Sequence, residues 1–285
     1  MLDIDQKSKI EVEKQATSAS VVATYGLRRL FGDFAAVDGI DLSVQPGEVF
    51  GLLGPNGAGK TTTIKMLVTL LPPSEGRATV GGFDVVREAH EVRRLIGYVP
   101  QALSADGNLT GLENLMIFAK LYDVPRKEQR RRVDDALQFM GLTESAKRMV
   151  NTYSGGMIRR LEIAQTLIHR PRVLFLDEPT IGLDPVARRT VWNHLDDMRT
   201  QYGTTLFVTT HYMEEAEELC TRIAIMNKGK VAALDTPEAL IAQVGIEDAT
   251  LEDAFAHFTG AHLDAETGGS WREVRNVRRT AGRLR

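Results

Sequence analysis

Hydrophobic residues occur along this chain in two alternating patterns, which together predict an α/β fold. Three runs have the length and composition of buried strands: residues 49–53, 173–176 and 204–209. Other segments carry apolar residues on one helical face: residues 112–119, 133–140 and 158–168. Because buried strands that alternate with helices form parallel sheets, we expect a parallel sheet at the core of the molecule.

A helical insert separates two of these strands. Thr110 and Glu113 have the spacing of a capping box, in which each side chain bonds the backbone N–H of the other residue, so they mark the start of a helix. Another helix begins at Ser154, a residue type that is preferred at N-caps. The helical subdomain is expected to span about residues 102–168.

The segments on either side of this α/β pattern contain shorter β-type pieces. Those before the first buried strand lie at residues 21–23, 36–37 and 40–44, and a strand with a turn follows at 77–82. Residues 223–234 have the pattern of a hairpin around Asn227-Lys228-Gly229, and residues 251–258 that of a last amphipathic helix. The folded domain is therefore expected to span residues 21–260.

Composition narrows the class of protein. The chain has 285 residues, of which 43% are apolar and 26% charged, and its net charge of −3 does not indicate a nucleic-acid partner. No run of about 18 apolar residues occurs, so no segment is expected to span a membrane. The single cysteine, Cys220, excludes an internal disulfide. Residues 1–20 are expected to form a flexible lead-in and residues 261–285 a flexible basic tail.

The most informative motif follows the first buried strand. Residues 54–61 fit the pattern G-x-x-x-x-G-K-[ST] of a phosphate-binding loop between a strand and a helix. Its glycines let successive N–H groups point into one concavity, to which the helix start adds positive charge. Lys60 is expected to reach the β- and γ-phosphates and Thr61 to ligate Mg²⁺. The predicted nucleotide-binding residues here are Gly54, Pro55, Asn56, Gly57, Ala58, Gly59, Lys60, Thr61 and Thr62.

Polar residues at the ends of other strands are candidates for the chemistry. Asp177 and Glu178 follow strand 173–176, where an α/β sheet places its ligand groups. Asp177 is a candidate Mg²⁺ ligand, and Glu178 a candidate base that polarises a water toward the γ-phosphate. Gln101 is either a ligand of Mg²⁺ or of the attacking water, or an ordinary loop residue. His211 is either a donor to the γ-phosphate or a structural histidine.

Two further candidates stay open when the residues are considered alone. Phe31 either stacks on a purine base or belongs to the core. The backbone N–H groups that follow Ser154, at Gly155 and Gly156, either receive a second anion or begin an ordinary capped helix.

In this order and spacing, the motifs resemble those of the nucleotide-binding subunits of ATP-binding-cassette (ABC) transporters, over roughly residues 21–260. The resemblance implies a P-loop NTPase fold with a RecA-like core sheet, an antiparallel β subdomain and a helical signature subdomain. It also implies a role for each motif: Phe31 as the adenine-stacking aromatic, Gly54–Thr62 as Walker A, Gln101 as the Q-loop, Ser154-Gly155-Gly156 as the signature, Asp177 and the catalytic Glu178 as the end of Walker B, Asp184 as the D-loop acid and His211 as the switch histidine.

The chain also departs from the usual family sequence. The signature commonly reads L-S-G-G-Q, whereas here Tyr153 and Met157 flank the central three residues, and Ile181 replaces the usual D-loop serine. Met157 cannot donate the side-chain hydrogen bonds of a glutamine. The segments at 153–157, 182–185 and 251–255 are similar to the daunorubicin-resistance branch of ABC exporters.

The resemblance implies an ATP hydrolase that uses ATP and Mg²⁺. Two copies are expected to associate head to tail, so that Ser154 and Gly156 of one chain complete the ATP site at Lys60 and Thr61 of the other. The dimer is expected to drive a separate multi-span permease that exports a drug or lipid-like compound, which places the chain at the cytoplasmic face of the membrane. Alternatives are a soluble ABC ATPase that acts on a macromolecular complex, and a P-loop kinase or GTPase.

Overall fold

The computed structural model of this protein describes residues 20–260. Strands in this part of the chain are β1 (Val22–Phe31), β2 (Phe34–Val44), β3 (Val49–Leu53), β4 (Glu75–Val80), β5 (Phe83–Asp84), β6 (Ile96–Val99), β7 (Val173–Asp177), β8 (Thr205–Thr209), β9 (Arg222–Asn227) and β10 (Lys230–Asp235). The α-helices are α1 (Lys60–Leu67), α2 (Ala89–Leu95), α3 (Gly111–Leu121), α4 (Arg126–Phe139), α5 (Gly155–Leu167), α6 (Pro185–Tyr202), α7 (Met213–Leu219), α8 (Pro237–Ala242) and α9 (Leu251–Thr259). The tail predicted at residues 261–285, and the lead-in except for Ser20, lie outside the described residues.

The larger sheet has the strand order β10-β9-β3-β8-β7-β6. Strands β9, β3, β8, β7 and β6 are parallel to one another, and β10 is antiparallel to β9. The predicted parallel sheet is therefore confirmed. Because parallel strands end at the same edge, the segments that follow β3, β6, β7 and β8 meet there. That edge carries the candidate site residues.

The smaller sheet is antiparallel, with the order β2-β1-β4-β5. The short pieces predicted before residue 49 are wrong as separate strands, because they belong to two long paired strands, β1 and β2. Register shifts between Thr24 and Leu27, and again between Leu27 and Leu30, interrupt the two-residue alternation. Without a regular alternation, the sequence pattern does not indicate strands of this length.

The two faces of the larger sheet bury different neighbours. Phe50, Phe175 and Phe207 pack ring against ring on one face, with centroids 5.2 and 5.3 Å apart, in the cluster that includes the antiparallel sheet. Alternate residues of the same strands, such as Leu176 and Val208, face a second cluster that includes the helical insert. Complete burial of both faces explains why these strands read as short continuous apolar runs.

The helical insert packs through α3, α4 and α5. The capping box predicted at Thr110 and Glu113 is present at the start of α3. Residues from all three helices, including Leu115, Val133 and Leu161, share one apolar cluster. None of the helices among residues 20–260 has the length and apolar character needed to cross a membrane.

Candidate functional site

The loop between β3 and α1 approaches neighbouring backbone more closely than a side chain would permit. A Cβ atom added at Gly54 would lie 2.5 Å from the carbonyl oxygen of Met226. At Gly59, the N-cap of α1, it would lie 2.3 Å from the carbonyl oxygen of Ala36, and the φ of 104° is itself unfavourable for an L side chain. The glycines thus allow the loop to turn tightly into α1, whose first N–H groups lack intrahelical partners.

Lys60 begins α1 and its side chain returns over the loop. Its Nζ donates to the carbonyl oxygens of Gly54 at 2.7 Å and Pro55 at 3.2 Å. Burial lowers the pKa of Lys60 below its ordinary value, while the negative charges of Glu178 and Asp177 oppose that change. The cation is therefore held between the loop and the two acids that follow β7.

Asp177, the last residue of β7, is buried and accepts two hydroxyl hydrogen bonds. Thr209 Oγ1 donates to its Oδ1 at 2.6 Å, and Thr61 Oγ1 donates to the same atom at 3.3 Å. The second bond joins the phosphate-binding loop to the end of β7. The role of Thr209 was not found from the sequence, where its only signal is its position at the end of a buried strand.

The carboxylate of Glu178 contacts two other predicted site residues, Gln101 and His211. Gln101 Nε2 donates to its Oε2 at 3.1 Å, and His211 Nδ1 lies 3.6 Å from the same oxygen. Glu178 has a φ of 51°, which is uncommon outside glycine, and its N–H donates to Thr209 Oγ1 at 3.0 Å. The backbone is thus held in a costly conformation that points the carboxylate along the sheet edge toward Gln101 and His211.

The oxygen-bearing side chains fit a magnesium ion that a nucleotide brings with it. Thr61, Asp177 and Gln101 offer hydroxyl, carboxylate and amide oxygens, which are the ligand types that suit Mg²⁺. Across residues 20–260, no group of three or more His, Cys, Asp or Glu side chains could hold a metal by itself. Mg²⁺ is usually bound by one or two carboxylates together with phosphate oxygens, so this small set is sufficient.

The segment at residues 154–156 forms the start of α5 and packs against α6. Ser154 is the N-cap of α5 and its Oγ accepts from the backbone N–H of Met157 at 3.3 Å. Ser154 and Gly155 are exposed, whereas Gly156 is buried against α6, where an added Cβ would lie 2.9 Å from Ala187 Cβ. The helix start therefore presents its N–H groups at the surface of the chain.

Phe31 lies at the protein surface, and Asp184 caps the start of a helix. Phe31 ends β1 with 49% of its surface exposed, so it is not a core residue, and the Arg29 guanidinium lies 4.8 Å from its ring centroid. Asp184 is the N-cap of α6 and accepts from the N–H groups of Val186 and Ala187 at 3.0 and 2.9 Å. Its carboxylate has this capping function in the structure.

The glutamates of α7 (Glu214, Glu215, Glu217 and Glu218) predict a solvated helix face from the sequence, and for Glu215 this prediction is wrong. Glu215 is buried, accepts from Thr180 Oγ1 at 2.9 Å and lies 3.0 Å from Nε of Arg188. Burial raises the pKa of Glu215 above its usual range, and its bonds and nearby cations oppose that change. The Arg188 guanidinium also stacks 3.8 Å from the ring centroid of Tyr212, beside His211. These contacts link the start of α6 to the segment that carries His211.

We expect Glu215→Ala to lower the free energy of unfolding by about 1–3 kcal/mol, because it leaves the buried Thr180 hydroxyl without its acceptor and Arg188 without its counter-ion. Denaturant titration of the purified protein measures this change. Glu214→Ala, the neighbouring exposed position, is the matched control and should change stability by less than about 0.5 kcal/mol. Equal effects at the two positions would contradict the structural role of Glu215.

Comparison with known proteins identifies the family. A model of the ABC transporter family matches residues 37–181. The chain is 45% identical over 226 residues to the daunorubicin resistance ATP-binding protein DrrA3 of Streptomyces coeruleorubidus, covering 79% of this chain and 71% of that protein. This chain is an ABC ATP-binding protein. It is also 42% identical over 219 residues to the linearmycin resistance ATP-binding protein LnrL of Bacillus subtilis (strain 168), covering 77% of this chain and 70% of that protein.

Solved structures agree with this family assignment. A dimeric ABC ATP-binding cassette in a post-hydrolysis state, bound to ADP and Pi, matches with a TM-score of 0.68 and 26% identity, covering 75% of this chain and 98% of that chain. The family, the drug-resistance branch, the P-loop NTPase fold and the ATP hydrolase class predicted from the sequence are therefore confirmed.

Proposed function

We propose that this ABC ATPase is the ATP-hydrolysing subunit of an exporter and that it works as a head-to-tail dimer. The proposal rests on five side chains that lie together at one edge of the parallel sheet: Thr61, Asp177, Gln101, Glu178 and His211. A phosphate-binding loop, a carboxylate suited to Mg²⁺ and a second carboxylate placed for proton transfer are the groups that nucleotide hydrolysis needs.

The phosphate-binding loop is proposed to hold ATP through its backbone N–H groups and Lys60. The positive start of α1 and the Lys60 ammonium balance the triphosphate charge. Phe31, exposed at the end of β1, offers a ring on which the adenine base stacks. Thr61, Asp177 and Gln101 would hold Mg²⁺, which supplies neutralisation of charge on the β- and γ-phosphates.

Glu178 is proposed to act as the general base. The carboxylate accepts a proton from a water whose oxygen attacks the γ-phosphorus, and the bond from that phosphorus to the β–γ bridging oxygen breaks, which yields ADP and inorganic phosphate. Gln101, which bonds to Glu178, would orient the water. His211, whose Nδ1 lies 3.6 Å from the same carboxylate oxygen, would donate to a γ-phosphate oxygen.

A second copy of the chain is proposed to complete each ATP site. Ser154 and Gly155 are exposed at the start of α5, where N–H groups and the helix dipole favour an anion. Within its own chain this helix start packs against Ala187 and Leu183, so its exposed side is available to ATP held by the other subunit. A relative of known structure is a dimer with ADP and Pi. Asp184 would lie at the same interface, at the start of α6.

The exported compound is proposed to be a drug or a lipid-like molecule that passes through a separate multi-span permease. The relatives named above are resistance proteins for daunorubicin and linearmycin. ATP binding would close the dimer and hydrolysis would open it, and the permease would follow this motion. The chain would then lie at the cytoplasmic face of the membrane through the permease.

We expect the full chain, expressed in its native host with an affinity tag, to co-purify from detergent-solubilised membranes with a multi-span membrane protein. Mass spectrometry of the purified complex identifies the partner. A host strain that expresses the tag alone is the control for unspecific capture. Recovery of the chain only from the soluble fraction, bound to a macromolecular complex, would instead support the alternative function of a non-transport ABC ATPase.

A further inference from the structure

A buried ion pair lies on α5, in the turns that follow Ser154. Arg159 NH1 lies 3.0 Å from Glu162 Oε2, and the two side chains are only 2% and 1% exposed. Charges that are this deeply buried are costly unless each is fully hydrogen-bonded. The remaining contacts of the pair therefore indicate what it holds in place.

Both members of the pair bond to the segment that follows β6 and contains Gln101. Arg159 donates from NH1 to the carbonyl oxygen of Pro100 at 2.8 Å and from NH2 to that of Gln101 at 2.9 Å. Glu162 Oε1 accepts from the backbone N–H of Ser104 and from Ser104 Oγ at 3.1 Å. Residues 100–104 are thus hydrogen-bonded to α5 at both ends of the segment.

The shape and donor set of the arginine side chain suit these contacts with residues 100–104. The planar guanidinium of Arg159 bonds the carbonyl oxygens of Pro100 and Gln101 through two separate nitrogens in a rigid fork, whereas an ammonium offers its donors from a single nitrogen. Burial lowers the pKa of Arg159, and Glu162 and Asp177 oppose that change by favouring the cation. Apolar side chains would fill the same space without fixing the position of the loop.

We propose that Arg159 and Glu162 are positioning residues that couple the two ATP sites of the dimer. The inference rests on the proposed head-to-tail dimer. There, Gln101 faces the ATP held by its own chain, whereas Ser154 faces the ATP held by the other chain. Because the ion pair holds the Gln101 segment and α5 as one body, a shift of Gln101 at one nucleotide moves the Ser154 contact with the other nucleotide.

The test compares Arg159→Lys with Arg160→Lys in the full 285-residue chain. The first keeps a charge opposite Glu162 but loses the bridge to the two carbonyl oxygens. The second changes the neighbouring arginine. Arg160 donates to the carbonyl oxygen of Met140, just after α4, and has no bond to residues 100–104 among those described. Thermal unfolding establishes that each variant is folded. ATPase rate is then measured against ATP concentration, and the Hill coefficient is read from the curve.

We expect the parent chain and Arg160→Lys to have a Hill coefficient well above 1, with an upper limit of about 2 for two coupled sites. Arg159→Lys should hydrolyse ATP with a Hill coefficient close to 1. Ser104→Ala removes only the hydroxyl bond to Glu162 and should have an intermediate coefficient. That variant decides the test if Arg159→Lys does not fold.

A folded Arg159→Lys with the Hill coefficient of the parent overturns the coupling and leaves the proposed function intact. An equal loss of cooperativity in Arg160→Lys also overturns it, because the effect would then come from any change in α5. A parent chain that hydrolyses ATP without cooperativity overturns it as well. A parent chain that neither hydrolyses ATP nor dimerises contradicts the proposed function itself and the coupling with it.

Discussion

Glu178→Gln is expected to lower ATP turnover by on the order of 10²- to 10⁴-fold, the usual contribution of a general base. Glutamine has nearly the same shape as glutamate and still accepts from Gln101 Nε2, but it cannot take a proton from water. The phosphate-binding loop, Lys60 and Asp177 are unchanged in this variant. ATP should therefore bind with nearly parental affinity and hold the dimer closed, because the step that releases it is blocked.

Three measurements on one preparation check this expectation: steady-state phosphate release, equilibrium binding of ATP, and size-exclusion chromatography with and without ATP. Glu214→Gln, an exposed position on the segment after His211, is the matched control and should behave as the parent does. A Glu178→Gln variant that hydrolyses ATP at the parental rate would show that Glu178 is not the base. A variant that loses ATP binding would show that its main function lies in nucleotide affinity.

The elements that depend on local sequence were predicted well. Strands β3, β7 and β8 read as apolar runs because both faces of the parallel sheet are buried. The phosphate-binding loop was evident because its glycines are required by local backbone geometry. Asp177 and Glu178 were placed correctly because a parallel sheet brings its strand ends to one edge.

The features that were missed depend on contacts between distant parts of the chain. Nothing in an acidic helix indicates that Glu215 turns inward to Thr180, 35 positions earlier, while the other glutamates of α7 remain exposed. Likewise, an arginine and a glutamate three residues apart on α5 suggest a surface ion pair, and only the fold shows that they bond to residues 100–104. Strands β1 and β2 were read as short pieces because register shifts break their alternation.

In the proposed dimer, ATP at Lys60 of one chain needs Ser154 of the other, so two inactive variants should restore activity to each other. Lys60→Ala removes the cation from the phosphate-binding loop. Ser154→Asp keeps an N-cap oxygen for α5 but places a negative charge against the γ-phosphate. Each variant alone should lose on the order of 10²-fold or more in turnover, as expected when phosphate-binding groups are removed. Thr236→Asp, which adds the same charge at the N-cap of α8, is the matched control and should keep parental activity.

Mixing the two variants after dissociation shows whether two chains share each ATP site. In a mixed dimer, the intact loop of the Ser154→Asp chain meets the intact signature of the Lys60→Ala chain, which makes one complete site. Random pairing should restore activity up to an upper limit of about one quarter of the parental rate, because about half of the dimers are mixed and each has one complete site of two. Two different tags on the variants verify that mixed dimers form. If mixed dimers form and the activity stays at the level of the separate variants, each chain completes its own site and the ATP sites are not shared between chains.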